Sequence, residues 1–215
     1  MGKVAVDISV SLDGFVAGPN RTLDDPLGEG GERLHEWILG LKSWREAHGM
    51  SGGETGRDNE IAEEAIRRAG ATVMGRRMFS GGEGDWDGDP NADGWWGDDP
   101  PFHHPVFVLT HHARESVTKE GGTSFTFVTD GVASAVEQAR EAAGDKDVTI
   151  AGGASAIQQG LKAGLVDEVR LHVVPVLFGG GVRLLDGLGS EDIDLEKVSV
   201  VDSPSVTHLT FRVAK

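Results

Sequence analysis

The sequence contains no cysteine among its 215 residues. This excludes disulfide bonds, thiolate metal sites and a cysteine nucleophile. The sequence also has no run of 18 apolar residues, and stretch 1–14 has the pattern of a strand instead of the continuous apolar region of a signal peptide. We therefore expect a soluble, cytoplasmic protein with no membrane partner.

Positive charge is scarce, since 20 Lys and Arg residues stand against 35 Asp and Glu residues and the net charge is −15. Such a surface repels phosphate backbones, so we expect no nucleic-acid partner. Stretch 80–104 is the most one-sided, with seven carboxylates and neither Lys nor Arg. It is too long for an ordinary connection, as are 18–31 and 49–57. Each of the three is either a functional loop or lid, or partly disordered.

Strand and helix patterns alternate along most of the chain. Alternating or β-rich apolar runs occur at 3–10, 71–75, 105–110, 124–129, 148–150, 168–178, 195–202 and 205–214. Helical patterns at 58–69, 132–143 and 155–164 lie between them, which predicts parallel βαβ units. The last two runs flank Ser203-Pro204 and predict an antiparallel hairpin. We predict a single α/β domain over 1–215, with flanking helices and a mixed, mostly parallel sheet of about eight strands.

Ligands of such sheets bind at the carboxyl ends of the parallel strands. Glycine lets a ligand approach the backbone, arginine suits phosphate, and a hydroxyl group can bond phosphate or ribose. Each motif alone is also explained by an ordinary turn or a solvated charge, but together they predict a cradle for a phosphorylated nucleotide. The segments after the strand ends are SLDG (11–14), Gly75-Arg76-Arg77, Thr110-His111 and Gly152-Gly153-Ala154-Ser155.

The order of these motifs resembles the dihydrofolate reductase superfamily. It is most similar to the branch that contains the reductase domain of riboflavin biosynthesis and its stand-alone relatives. The motifs are SLDG, MGRRMF, VFVLTHHARE, IAGGASAIQQGL and DEVRLHVVPVLFGGGVRLLDGL, and the likeness extends from Lys3 to Ala214.

The resemblance implies an NADPH site. Gly75, Arg76 and Arg77 would face the phosphates on the adenine side, with Arg76 at the 2′-phosphate. Thr110 and His111 would lie near the adenosine ribose. Gly152, Gly153, Ala154 and Ser155 would surround the pyrophosphate, with a cis peptide bond between the two glycines.

The resemblance implies a less complete set of catalytic groups than of cofactor contacts. Dihydrofolate reductases carry an acidic residue on the first helix, and alignment through Trp37 puts Leu34 there, which argues against folate reduction. Asp13 is the alternative candidate for a catalytic role.

The resemblance also suggests where a substrate would be held. Leu12 and Trp37 are candidate substrate contacts. Arg183 and, alternatively, Arg21 are candidate anchors for a substrate phosphate.

The sequence thus predicts an NADPH-dependent reductase that transfers hydride to a small heterocyclic or ribosylamino-pyrimidine-type substrate, as a 5-amino-6-(5-phosphoribosylamino)uracil reductase does. The alternatives are a nucleotide-binding module of the same fold without turnover, or dihydrofolate reductase activity. Without cysteine the zinc-binding motif of a deaminase partner is excluded, so the chain would be a reductase only.

A metal protein is a further alternative, because His103, His104, His111 and His112 lie near many Asp residues. Adjacent side chains of a strand point to opposite faces, however, so we expect no metal. Relatives in the riboflavin branch are often homodimers. Strand 168–178 could therefore serve a homodimer interface or, equally, be a buried core strand.

Overall fold

A computed structural model describes residues 2–82, 84–189 and 192–214. Its strands are β1 (Val4–Ser11), β2 (Phe15–Ala17), β3 (Ala69–Gly75), β4 (Pro105–Leu109), β5 (Val117–Thr118), β6 (Ser124–Val128), β7 (Asp147–Gly152), β8 (Glu168–Val174), β9 (Val182–Arg183), β10 (Leu195–Asp202) and β11 (Thr207–Val213). Its α-helices are α1 (Glu36–Leu39), α2 (Lys42–Ala47), α3 (Arg57–Arg68), α4 (Arg76–Ser80), α5 (Val132–Ala143) and α6 (Ala154–Lys162), and Gly31–Leu34 and Glu120–Gly122 form short 3-10 helices.

Nine of the strands form one sheet in the order β10-β11-β8-β1-β7-β3-β4-β6-β5. The strands from β8 to β6 run parallel, whereas β11, β10 and β5 are antiparallel to their neighbours. The predicted α/β fold with a mostly parallel sheet and an antiparallel C-terminal hairpin is therefore confirmed. The ninth strand is the two-residue β5, and β2 pairs with β9 in a separate ribbon.

The predicted strand 168–178 is shorter in the structure, because β8 ends at Val174, directly before Pro175. Proline has no N–H to continue a strand ladder. β8 lies inside the sheet between β1 and β11, so its edges are not available for an interface between subunits. The edge strand is β10, on which Val198 and Val200 are half exposed.

Two layers cover the sheet. Val4, Val6 and Val10 alternate along β1 and share a core cluster with Val136 of α5 and Ile157 of α6. The opposite face is covered by α1 and α3 at one end, and at the other by α4 and the chain that follows it. No helix among the described residues is long and apolar enough to cross a bilayer.

Residues 84–104, which we call the acidic segment, pack on the sheet. The ring of Trp86 lies 4.9 Å from that of Phe127. Phe102 and Trp96 pack on the same cluster, in which the rings of Phe79 and Phe125 are 5.0 Å apart. The segment therefore covers one face of β3, β4 and β6, as a crossover helix covers parallel strands in other folds. Its aromatic side chains contribute to the core.

Candidate functional site

The carboxyl ends of β1, β7 and β3 lie side by side, because β7 pairs with the other two strands in parallel. A Cβ atom on Gly75 would lie 3.7 Å from the nitrogen of Gly153, so the end of β3 touches the turn after β7. A Cβ atom on Gly152 would lie 3.4 Å from the sulfur of Met78 and 3.7 Å from Cδ1 of Ile8. Met78 and Ile8 thus form the floor beneath the paired glycines.

The Gly152-Gly153 peptide bond is cis, as the resemblance implied. Gly153 is the N-cap of α6, and nothing lies within 4 Å of the position its Cβ would take. The first N–H groups of a helix have no intrahelical acceptor and attract anions. Gly153 and Ser155 are exposed at this turn and Ala154 is buried beneath them, so the turn offers backbone donors to open space.

Arg76 points away from this turn into the acidic segment. Its guanidinium is buried and contacts Ser80 Oγ, and it lies 2.6 Å from Asp89 Oδ2. The ring of Trp86 lies on the guanidinium at 3.4 Å. Burial raises the pKa of Asp89, but its bonds from Arg76, Asn91 and Ser80 outweigh this and hold the pKa below the ordinary value. Arg76 therefore already has an anionic partner within the chain.

Arg77 is exposed, and it lies close to Arg21. Partial burial and the positive charge of Arg77 lower the pKa of Arg21. The charges of the two guanidinium groups thus act on each other beside the end of β3. The sequence contained both arginines but no signal for their pairing, because they lie on different segments.

Thr110 and His111 follow the end of β4. Thr110 is buried, and its hydroxyl accepts a bond of 3.1 Å from the backbone N–H of His112. That hydroxyl stabilises the local turn, whereas His111 is exposed. Of the two predicted contacts, His111 is the one presented to solvent.

Asp13 lies at the end of β1 and is bound by the chain that follows β8. Its carboxylate accepts bonds of 2.7 Å from Ser11 Oγ and Gly179 N, and of 3.1 Å from Phe178 N. The bond from Ser11, with those from Gly179 and Phe178, outweighs partial burial and lowers the pKa of Asp13 to about 2. Asp13 is therefore an ionised acceptor that fastens two segments, and it holds no proton to donate near neutral pH.

The three predicted substrate contacts lie in different environments. Leu12 is 65% exposed at the end of β1. Arg183 is exposed, with its guanidinium 4.6 Å from the ring of Phe15 beside the Asp13 turn. Trp37 is buried, and its indole N–H donates to Ser9 Oγ at 3.0 Å. Leu12 and Arg183 thus border the open edge, whereas Trp37 belongs to the core beneath it.

The histidines considered as metal ligands are dispersed. His104 Nε2 lies 2.8 Å from Thr72 Oγ1, His103 Nδ1 lies 3.0 Å from the carbonyl oxygen of Gly121, and His112 pairs with Asp85. Burial, with the charges of Lys146 and His103, lowers the pKa of His104 to about 4. In the part of the chain that the structure describes, no three His, Asp or Glu side chains converge in a metal-binding arrangement.

The model of the RibD C-terminal domain matches residues 2–209. The chain belongs to the RibD C-terminal domain family. A relative among curated proteins is the uncharacterized protein YyaP of Bacillus subtilis (strain 168), which is 23% identical over 193 residues, covering 85% of this chain and 79% of that protein.

Solved structures of the family have the same fold. A candidate riboflavin biosynthesis protein from Shewanella sp. PV-4 is 24% identical and superposes with a TM-score of 0.63, over 99% of both chains. A diaminohydroxyphosphoribosylaminopyrimidine deaminase/5-amino-6-(5-phosphoribosylamino)uracil reductase from Thermotoga maritima is 15% identical, with a TM-score of 0.56 over 99% of this chain. The chain spans 57% of that larger protein.

The Arg76–Asp89 pair predicts a large cost for the variant Asp89→Asn. Both side chains are less than a tenth exposed, so the change leaves a buried guanidinium without its counter-charge and should lower the free energy of unfolding by about 3–5 kcal/mol. Asp93→Asn is the matched control, because Asp93 pairs with Arg114 but is largely exposed and should cost at most about 1 kcal/mol. Urea denaturation measures both. Equal losses would mean that the Arg76–Asp89 pair does not fasten the acidic segment.

Proposed function

We propose that the chain is an NADPH-dependent reductase that transfers hydride to a small heterocyclic or ribosylamino-pyrimidine-type substrate. Membership of the RibD C-terminal domain family supports an oxidoreductase role, as does the fold shared with the deaminase/reductase of Thermotoga maritima. The observation that carries the proposal is the open turn at Gly152-Gly153, with the ends of β1 and β3 on either side of it.

The turn fits a pyrophosphate. Gly153 leaves space at the N-terminus of the nine-residue helix α6, and Gly75 keeps the neighbouring strand end free of a side chain. Backbone N–H groups at such a helix start favour bound phosphate oxygens. Glycine at both positions allows the closest approach of the backbone to the ligand.

The 2′-phosphate fits Arg77 better than Arg76. The guanidinium of Arg76 is buried against Asp89 and Trp86, so binding phosphate there would require the acidic segment to separate from α4. Arg77 is exposed on the same helix, with Arg21 near it. Two neighbouring positive charges favour a group with more than one negative charge. We therefore assign the 2′-phosphate to Arg77 with Arg21, and we give Arg76 the task of holding the acidic segment.

NADPH, when bound, supplies the hydride, and the protein supplies binding, orientation and exclusion of water. In the proposed site, backbone donors at Gly153 and Ser155 hold the pyrophosphate while Met78 forms an apolar floor. Arg183 and Leu12 border the side where a substrate would lie. Asp13 orients the segment at Phe178 and Gly179 as an ionised acceptor, so a proton needed by the product would come from solvent.

The alternative of a nucleotide-binding module without turnover is favoured by one specific observation. The candidate acid, Asp13, is held ionised by three donors and contributes no proton near neutral pH. Oxidation of NADPH in the presence of pyrimidine, pterin and aldehyde acceptors separates the two functions. We expect turnover with at least one ring-containing acceptor, and nucleotide binding without any turnover would favour the module.

The cradle is tested by the variant Gly153→Ala. Gly153 has φ −65° and ψ −174°, which alanine adopts, and the new methyl group would meet no atom within 4 Å beyond its two chain neighbours. The methyl group would occupy the space where the pyrophosphate approaches, so we expect NADPH affinity to fall at least about tenfold, or about 1.4 kcal/mol. Calorimetric titration with NADPH measures this loss.

Gly84→Ala is the matched control, because Gly84 also has open space around it and lies in the acidic segment. Its NADPH affinity should equal that of the unmodified protein. If Gly153→Ala also binds NADPH as tightly as the unmodified protein does, the pyrophosphate does not lie at this turn and the proposed function fails.

A further inference from the structure

A continuous chain of four titratable side chains lies on the sheet face beneath α3, away from the proposed nucleotide site. His172 of β8 is at its centre. His172 Nε2 lies 2.9 Å from Asp7 Oδ1 of β1, and His172 Nδ1 lies 2.7 Å from His208 Nδ1 of β11. His208 Nε2 then lies 3.1 Å from Asp58 Oδ1 of α3. We call Asp7, His172, His208 and Asp58 the histidine brace.

The two imidazoles of the brace are buried. The side chains of His172 and His208 are 8% and 4% exposed. The ring of Trp37 from α1 packs on both imidazoles, with centroids 4.8 and 5.1 Å away. Nearly buried groups of this kind keep their hydrogen bonds because water cannot replace them.

Other charged and polar groups fix both ends of the brace. At the β1 end, Arg170 Nη1 lies 3.5 Å from Asp7 Oδ2, and Arg170 also pairs with Asp147 and Glu168. At the α3 end, Ser203 Oγ donates to Asp58 Oδ2 at 2.7 Å. Two carboxylates thus face the imidazole pair, one from β1 and one from α3.

The contacts determine how many protons the two rings hold. An ionised carboxylate can only accept, so a hydrogen bond to each carboxylate requires a proton on the Nε2 that faces it. The two Nδ1 atoms face each other, and a hydrogen bond between them needs one proton on one of them. All three bonds are formed when the two rings share three protons on four nitrogens, an arrangement that has a single positive charge between two negative ones.

We propose that the histidine brace is a pH-sensitive latch that fastens α3, through His208 of β11, to the centre of the sheet. A fourth proton would place two N–H groups against each other across the 2.7 Å contact between the Nδ1 atoms. That contact has to open, and it is the side-chain link from β8 to α3, whereas the backbone of β11 stays paired with β8. The latch uses none of the residues of the proposed nucleotide site.

The direction of the pH dependence follows from the same arrangement. Burial and the neighbouring His172 lower the pKa of His208 from its ordinary value of 6.5, although Asp58 and Asp7 act in the opposite direction. Below pH 6.5 the unfolded chain therefore binds a proton at this position that the folded protein refuses. Stability is therefore lost as the pH falls below 6.5, with the unfolding constant rising about tenfold per pH unit for one proton.

The experiment compares the pH dependence of unfolding for the unmodified protein and for His208→Asn. Urea denaturation at intervals from pH 7.5 to 5.0 gives the number of protons taken up on unfolding. His104 and His35, whose pKa values are also lowered, contribute equally in both proteins. We expect the slope for His208→Asn to be smaller by about one proton, the share of a single titrating group.

His48→Asn is the matched control, because His48 is exposed at the end of α2 and lies outside the brace. Its slope should equal that of the unmodified protein. A slope for His208→Asn that also equals that of the unmodified protein would overturn the latch.

A second measurement applies if His208→Asn does not fold. Long-range ¹H–¹⁵N spectra of the unmodified protein at pH 7 count the protons on the ring nitrogens of His172 and His208. We expect three protons on the four nitrogens, with one lying between the two Nδ1 atoms. Two neutral rings with one proton each would overturn the proposal.

Discussion

The parallel pairing of β7 with β1 on one side and with β3 on the other is the constraint on which the candidate site depends. Because all three strands run in the same direction, their carboxyl ends meet at one edge of the sheet. The turn at Gly152-Gly153 then lies between the Asp13 turn and the Gly75 strand end. A site with open glycines needs well-packed neighbours, and these are supplied by the half-buried side chains of Ile8 and Met78.

The few positively charged side chains of this acidic protein lie in two kinds of environment. Arg76 is buried against Asp89, and Arg170 is shared among Asp7, Asp147 and Glu168. These arginines hold segments of the fold together. Arg77 and Arg21 are exposed at the surface, and Arg183 lies exposed on Phe15. The distinction separates structural cations from those that could meet a ligand, and it cannot be made from charge counts.

Much of the fold could be predicted from the sequence, because strand and helix periods are local. The helix 132–143 and the strand 195–202 have the predicted bounds. The two-residue strands β5 and β9 were missed, since two residues display no period. The end of β8 was placed too late, because the apolar run continues through Pro175 although the strand ladder does not. The sequence alone does not decide whether stretch 80–104 is a functional loop or lid, or partly disordered, since its aromatic contacts are made with distant strands.

Of the candidate site, only the backbone motifs could be predicted from the sequence. Gly75, Gly152 and Gly153 lie together because strand order and direction follow from the alternating pattern. The partners of side chains could not be predicted in the same way. Asp13 is bound by residues 165 and 166 positions away, and Arg76 by a carboxylate in a segment without a regular period. Because of these contacts, the candidate acid Asp13 is a hydrogen-bond acceptor, and the candidate phosphate ligand Arg76 is a structural group.

The central claim is that a nucleotide pyrophosphate lies on the turn after β7. Backbone amide NMR spectra of the ¹⁵N-labelled protein, recorded during addition of NADPH, test this claim most directly. The account predicts the largest shift changes at Gly153, Ala154 and Ser155, with smaller ones at Gly75 and Arg77. Saturable changes confined to the opposite edge of the sheet, around Lys3 and Lys146, would contradict it.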